Sequence, residues 1–161
     1  MQLIALIIPA YNEDRSIGNV LKDVPALVSE TVVVDNNSSD RTAEEARKGG
    51  ATVLHEPRKG YGYACLKGID YLSKRSRKPD IIVFMDGDYS DYPEELPQVV
   101  APILEQGMDM VIGSRVKALR EEGSMTPQQV FGNALATSLM KVLFGAKFTD
   151  LGPFRAIRFE A

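Results

Sequence analysis

The chain has one cysteine, Cys65, and one histidine, His55, among its 161 residues. A single thiol excludes an internal disulfide framework and a cysteine-built zinc site. A single imidazole leaves few candidates for a histidine metal site or a Ser-His-Asp triad. His55 falls at a predicted strand end and reads as an incidental polar residue. No apolar run approaches the ~18 residues that a membrane-crossing helix needs. The apolar start, Met1 to Ile8, is short, lacks a basic leader and meets Pro9 at once, so a first strand is expected there and not a signal peptide. The formal net charge is -3, which offers no basic excess for nucleic acid. Internal repeats, low-complexity tracts and obvious linkers are missing too. What these absences leave is a single domain over 1–161, expected to be soluble and cytoplasmic, and long enough to bury roughly two-thirds of its unfolded surface.

Apolar, β-rich runs recur at 3–8, 31–35, 51–55, 81–85 and 109–113. Helix-length segments lie between them, at roughly 15–27, 41–49, 62–75 and 94–106. This alternation predicts an α/β fold of three layers, with a mostly parallel central sheet between helices. Ligands of such sheets bind outside the carboxyl ends of the strands. The residues at those ends are therefore the candidates for function.

The most informative end follows the run Ile81-Ile82-Val83-Phe84-Met85, which reads as a strand buried on both faces. It stops at Asp86-Gly87-Asp88. In extended chain, positions i and i+2 point the same way, so the two carboxylates can converge. At about 5 Å they would repel by roughly 3 kcal/mol at an effective dielectric near 20. A divalent cation relieves that repulsion, and Mg²⁺ typically takes one or two carboxylates plus substrate phosphates. A strand-end turn rich in Asp and Gly is the plainer alternative.

After strand one, Pro9 is expected to stop the strand. Tyr11 then offers a flat face for stacking, and Asn12 or Glu13 can hydrogen-bond a sugar hydroxyl. Asn12 and Asp14 are also good caps for a helix beginning near Ser16. After strand two, Asp35 stands where open α/β sheets often read a ribose or base, whereas Asp40 suits the cap of the next helix. After strand three, Arg58 and Lys59 precede Gly60 and Gly62 at a helix start, an arrangement suited to an anion. Those glycines do not satisfy G-x-G-x-x-G and follow the third strand, which argues against a dinucleotide fold. The cluster Lys74 to Lys78 reads as a solvated helix end. After strand five, Arg115 is placed for bidentate phosphate binding. The charged segment 116–126 reads as a mobile loop and lid. A long helix from Thr126-Pro127 follows, with an apolar face wider than the usual stripe. Two readings stay open for 128–148: packing into the core, or contact with a membrane surface or lipid substrate.

Taken in order, these segments resemble the family 2 glycosyltransferases of GT-A fold, in particular the polyprenyl-phosphate sugar synthases of the dolichyl-phosphate-mannose-synthase type. The resemblance rests on Ile8 to Glu13, Val33 to Thr42, Met85 to Asp88, Gly113-Ser114-Arg115 and Thr149 to Ala156. It implies an inverting hexosyltransferase that moves sugar from a UDP- or GDP-linked donor to a polyprenyl phosphate, with Mg²⁺ or Mn²⁺ as cofactor. Pro9, Tyr11, Glu13 and Asp35 would hold the nucleoside, with Lys59 and Gly87 beside the donor. Asp86 and Asp88 would be the metal pair, Asp88 the direct ligand. Arg115 would meet a phosphate, and Asp150 would sit near the acceptor as a candidate base. The chain is shorter than such enzymes generally are, so part of the acceptor side is expected to be missing. Transfer to a hydroxyl of a glycan and a non-catalytic nucleotide-sugar-binding module are the alternatives. A haloacid-dehalogenase-type phosphatase also uses D-x-D, but its nucleophile ends strand one, whereas Asp86 follows strand four.

Overall fold

A computed structural model describes residues 2–113 and 152–161. Arg115, Asp150, the lid at 116–126 and the helix expected over 128–148 lie outside the described residues. The chain divides into two compact units, Met1–Val111 with Phe154–Ala161, and Ile112–Pro153. The described helices and, Ile112 apart, all the described strands belong to the first unit.

Six strands form one sheet in the order β3-β2-β1-β4-β6-β5. They are β1 (Ile4–Ala10), β2 (Glu30–Asp35), β3 (Thr52–His55), β4 (Ile81–Phe84), β5 (Met110–Ile112) and β6 (Arg155–Arg158). Strands β3, β2, β1 and β4 are parallel neighbours, and β6 runs antiparallel to β4. The helices are α1 (Ile17–Asp23), α2 (Thr42–Lys48), α3 (Tyr61–Ser73) and α4 (Leu96–Gln106). The α/β alternation is as expected, with two layers of apolar packing around the sheet.

Strand alternation divides the core. Leu6, Ile8, Val33, Val83 and Met85 pack with Ile17 and Val20 of α1, Ala46 of α2, and Leu96 and Ile103 of α4. Ile7, Val32, Val34, Ile82 and Phe84 face the other way, against Ala64 and Leu72 of α3. Strand β4 is thus buried on both faces, as its unbroken apolar run requires. Helix α3 approaches closely through its small residues: a Cβ on Gly68 would lie 2.8 Å from Cγ2 of Ile7, itself fully buried.

This division has a topological consequence. From β1 the chain winds through α1 and α2 toward β3, with both helices on one face. From β3 it crosses back through α3, on the opposite face, to reach β4. Right-handed crossovers require that change of face when the direction of winding reverses. The loops leaving β1 and β4 therefore diverge, and a crevice opens between their carboxyl ends.

Several expectations are corrected. Pro9 does not end β1, which runs on to Ala10 and pairs Pro9 with Val34 of β2. The Met85 N–H donates to Ile7 O, and the Asn36 N–H donates to Ala10 O. Odd-numbered residues of β1 thus turn their backbone groups toward β4, whose pairing ends at Ile7 and Phe84. The N–H that proline lacks would have pointed past the end of β4, so no ladder bond is lost. Helix α1 is shorter than 15–27 because Val24, held extended at ψ 122° before Pro25, cannot continue it. Its N-cap is Ser16, without a side-chain cap bond. Asn12 and Asp14 are not its caps. Asn12, at φ 58°, donates its N–H to Ser38 Oγ and accepts from the Ser39 N–H, clipping the loop after β1 to the loop after β2. The Asp14 N–H donates to Asp40, whose carboxylate also receives the Thr42 N–H at 2.9 Å, so Asp40 is structural, although the N-cap of α2 is Arg41 and not Asp40. Strand β6 was not anticipated: four residues with arginine at both ends carry little strand signal.

Candidate functional site

The crevice at the β1/β4 divergence is a cleft of ≈ 220 Å³. Pro9, Ala10, Tyr11 and Glu13 line it from the end of β1, and Asp86, Gly87 and Asp88 from the end of β4. Asn36 contributes from just after β2, and Tyr61 and Ala64 from the first turns of α3. Six of the residues singled out from sequence, Pro9, Tyr11, Glu13, Asp86, Gly87 and Asp88, thus share one space although they come from widely separated parts of the chain.

The carboxylate pair does not sit in extended chain. Strand β4 ends at Phe84, and Gly87 and Asp88 form a turn. Side chains staple that turn: Asp88 Oδ1 accepts from the Ser90 N–H at 2.9 Å, and the buried Asp91 carboxylate lies 3.4 Å from the Asp86 N. Tyr89 adopts φ 64° and hydrogen-bonds the Asp23 carboxylate, which ties the turn to α1. Gly87 packs on the end of β1; a Cβ there would meet Ala10 Cβ at 3.4 Å. Asp88 is exposed. On the facing wall, Tyr11 is half exposed, and Glu13 accepts a hydrogen bond from Ser16 Oγ at 2.9 Å.

Asp35 is buried at the end of β2, where its Oδ1 accepts from the Ser38 N–H and its Oδ2 lies 3.2 Å from Nδ1 of His55. His55, read as incidental, has this partner. It is the next residue, Asn36, that lines the cleft, and sequence reasoning assigned it nothing. Its amide donates to the carbonyls of Glu56 (3.0 Å) and Arg58 (2.7 Å) and accepts from the Gly60 N–H (2.8 Å). One side chain thereby fixes the segment that starts α3. Gly60, at φ 137°, makes the turn that glycine alone adopts readily.

The basic pair before α3 is engaged at its first member. Arg58 forks onto the buried Glu56 carboxylate through Nε at 2.8 Å and Nη2 at 2.9 Å, and stacks over Tyr63. Lys59 Nζ lies 5.5 Å from the Tyr11 ring centroid, so Lys59 sits beside the cleft. The Arg58 side chain, and then its backbone N–H, hold Glu56 down at about 2. A depressed carboxylate stabilises the fold above its unfolded value near 4.5, and that contribution is lost as pH falls toward 2. Glu56→Gln should therefore flatten the loss of stability between pH 4.5 and 2 in acid-unfolding curves. A variant curve parallel to the parent's would contradict this.

Burial raises the pKa of Tyr61, and that of Cys65, with which it shares a hydrogen bond. Neither is an ionised nucleophile at neutral pH. Among the described residues no group of three His, Cys, Asp or Glu side chains could hold a metal. No described helix is long and apolar enough to cross a membrane.

The family model "Glycosyl transferase family 2" matches residues 5–161. A low-salt glycan biosynthesis hexosyltransferase of Haloferax volcanii is 35% identical over 153 residues, covering 91% of this chain and 36% of its own. A dolichyl-phosphate hexose transferase of the same organism is 33% identical over 151 residues, covering 91% and 62%. Among solved structures, glucosyl-3-phosphoglycerate synthase from Mycobacterium tuberculosis, in complex with Mn²⁺, UDP-glucose and phosphoglyceric acid, superposes with a TM-score of 0.76 at 25% identity. That match covers 99% of this chain and 57% of the synthase. The chain thus spans about a third to two thirds of the length of these three proteins, and its architecture is the GT-A fold. Family model, relatives and fold agree, and the chain belongs to glycosyl transferase family 2.

Proposed function

We propose that this chain carries the donor-binding and catalytic face of an inverting hexosyltransferase, with a UDP- or GDP-linked sugar as donor and a polyprenyl phosphate as acceptor. The observation that carries the reading is the cleft at the β1/β4 divergence, which an aromatic side chain, Tyr11, lines together with two carboxylates, Asp86 and Asp88. The relatives' names support the acceptor class, since one is a dolichyl-phosphate hexose transferase.

The donor set fits Mg²⁺ or Mn²⁺. Two carboxylates without a third protein ligand among the described residues leave room for water and diphosphate oxygens, the arrangement hard cations of this size take. Asp88 and Asp86 would hold the ion, which when bound would offset charge developing on the leaving diphosphate. Tyr11 stacks the base, and Glu13 and Asp35 hydrogen-bond the nucleoside. Lys59 lies beside Tyr11 and adds positive charge on the donor side.

The reaction is a direct displacement. An acceptor oxygen forms its bond to the anomeric carbon from one side while the bond to the diphosphate oxygen breaks on the other, which inverts the centre. A phosphate acceptor is already anionic at neutral pH and needs little general-base help. Arg115 is proposed to meet a phosphate, and Asp150 to act as base where the acceptor is a hydroxyl. A hydroxyl acceptor is the second reading, because the matched synthase was solved with phosphoglyceric acid. Work on a lipid acceptor would place the protein at the cytoplasmic face of a membrane, in contact through 128–148.

Product analysis with UDP- and GDP-hexoses, offered polyprenyl phosphate and phosphoglyceric acid in parallel, tests the assignment. Inverted sugar phosphate on the lipid is expected. Transfer only to the soluble hydroxyl would move the acceptor assignment, and nucleotide binding without transfer to either would reduce the chain to a binding module.

A further inference from the structure

Arg155 opens β6 and has no role in the reaction as proposed. In the antiparallel register it lies directly opposite Phe84, the last residue of β4, two positions before Asp86. Residues paired across two strands share a face of the sheet, and Phe84 belongs to the apolar layer under α3. The alternation along β6 agrees. Phe154 and Ala156 are buried in the layer on the α1 side, and Ile157 packs in the layer under α3. Arg155 therefore stands on the α3 face at the carboxyl edge of β4. Tyr61 and Ala64, from the first turns of α3, line the cleft together with Asp86. Tyr61 and Cys65 each sense the charges of both Asp86 and Arg155, in opposite directions. One cation and one carboxylate of the candidate pair thus act on the same small region.

We propose that Arg155 is a positioning cation of this cleft, which offsets the charge of Asp86 from the α3 side and thereby raises affinity for the anionic diphosphate of the donor. This rests on the nucleotide-sugar reading of the cleft. A nucleoside diphosphate entering a space edged by Asp86 and Asp88 meets like charge before any cation arrives. A guanidinium fixed on a strand reduces that opposition permanently, independent of metal.

The test is nucleotide binding without metal. UDP and GDP are titrated in EDTA, at low and high salt, into the protein and into Arg155→Met and Arg155→Lys. Methionine keeps a flexible apolar stem and removes the charge; lysine keeps the charge. For whichever nucleotide the parent binds, Arg155→Met should bind on the order of tenfold more weakly, a charge-assisted effect. Arg155→Lys should stay within about threefold of the parent, and the difference should shrink as salt rises. In turnover assays with Mn²⁺, Arg155→Met should raise the donor KM more than it lowers kcat. Equal metal-free affinity of Arg155→Met and parent would overturn the proposal. So would an equal loss in both variants accompanied by a lower Tm, which would mark a purely structural residue. Failure of the parent to bind either nucleotide in EDTA would likewise overturn the proposal, whereas failure to bind either with Mn²⁺ present would sink the donor reading itself.

Discussion

Asp88→Asn should lower kcat about 10²–10³-fold while leaving the fold intact. The magnitude is that of losing one preorganised stabiliser of transition-state charge. Asparagine is the informative replacement because of what Asp88 does in the turn. Its Oδ1 accepts the Ser90 N–H, and an amide oxygen can do the same. The side chain is exposed, so removing its charge should change stability by no more than about 0.5 kcal/mol. The Tm should therefore hold while turnover collapses, and the Mn²⁺ or Mg²⁺ concentration needed for residual activity should rise. Turnover near the parent's level would refute the assignment of Asp88 as metal ligand. It would also reopen the plainer reading of Asp86-Gly87-Asp88 as a strand-end turn.

The second large effect should come from Asn36→Ala. This side chain is buried and makes three hydrogen bonds to one loop. Truncation leaves two carbonyls and one N–H without this partner, of which the Glu56 carbonyl is the buried one. Because a group left unsatisfied costs about 1–3 kcal/mol, and some of these can relax toward solvent, a net loss of roughly 2–4 kcal/mol is expected. For a chain of this size that lowers Tm by about 5–15 °C. The effect should extend to the donor, because the loop held by Asn36 sets where α3 begins, and α3 supplies Tyr61 and Ala64 to the cleft. Weaker nucleotide binding by the folded variant, measured below its transition, is the check. A melting curve superimposable on the parent's would show that the loop is held by other means, chiefly the Glu56–Arg58 fork.

Much of this site is legible from the sequence, and the reason is local. Tyr11 and Glu13 follow the first apolar run, and Asp86 and Asp88 follow the most apolar one. Strand ends in parallel sheets are where ligands bind, so identity and position together carry the inference. The residues that sequence reasoning passes over share a different character. Asn36 has the composition of any turn residue, and its importance lies in bonds to residues 20 to 24 positions away. Tyr61 lies within the segment from Arg58 to Gly62 that suits an anion, but that reading rests on the basic pair and the glycines and gives the ring no part. Arg155 carries a family motif without a role, because its place beside β4 depends on an antiparallel strand too short to foresee. Pro9 is misread for the same reason. Whether a proline ends a strand depends on which neighbour its missing N–H would have faced, and how far that neighbour extends.

The amino-acid order alone determined the alternation of strands and helices, the two-sided burial of β4, and the candidate carboxylates, since each of these follows from periodicity over a few residues. The tertiary structure decided which strands became neighbours, and hence that the chain reverses its winding between β1 and β4. That reversal is a property of the whole sheet. It opens the cleft that Tyr11, Asp86 and Asp88 line, because parallel strands are joined by long crossovers whose handedness, and not their sequence spacing, puts α1 and α2 on one face of the sheet and α3 on the other.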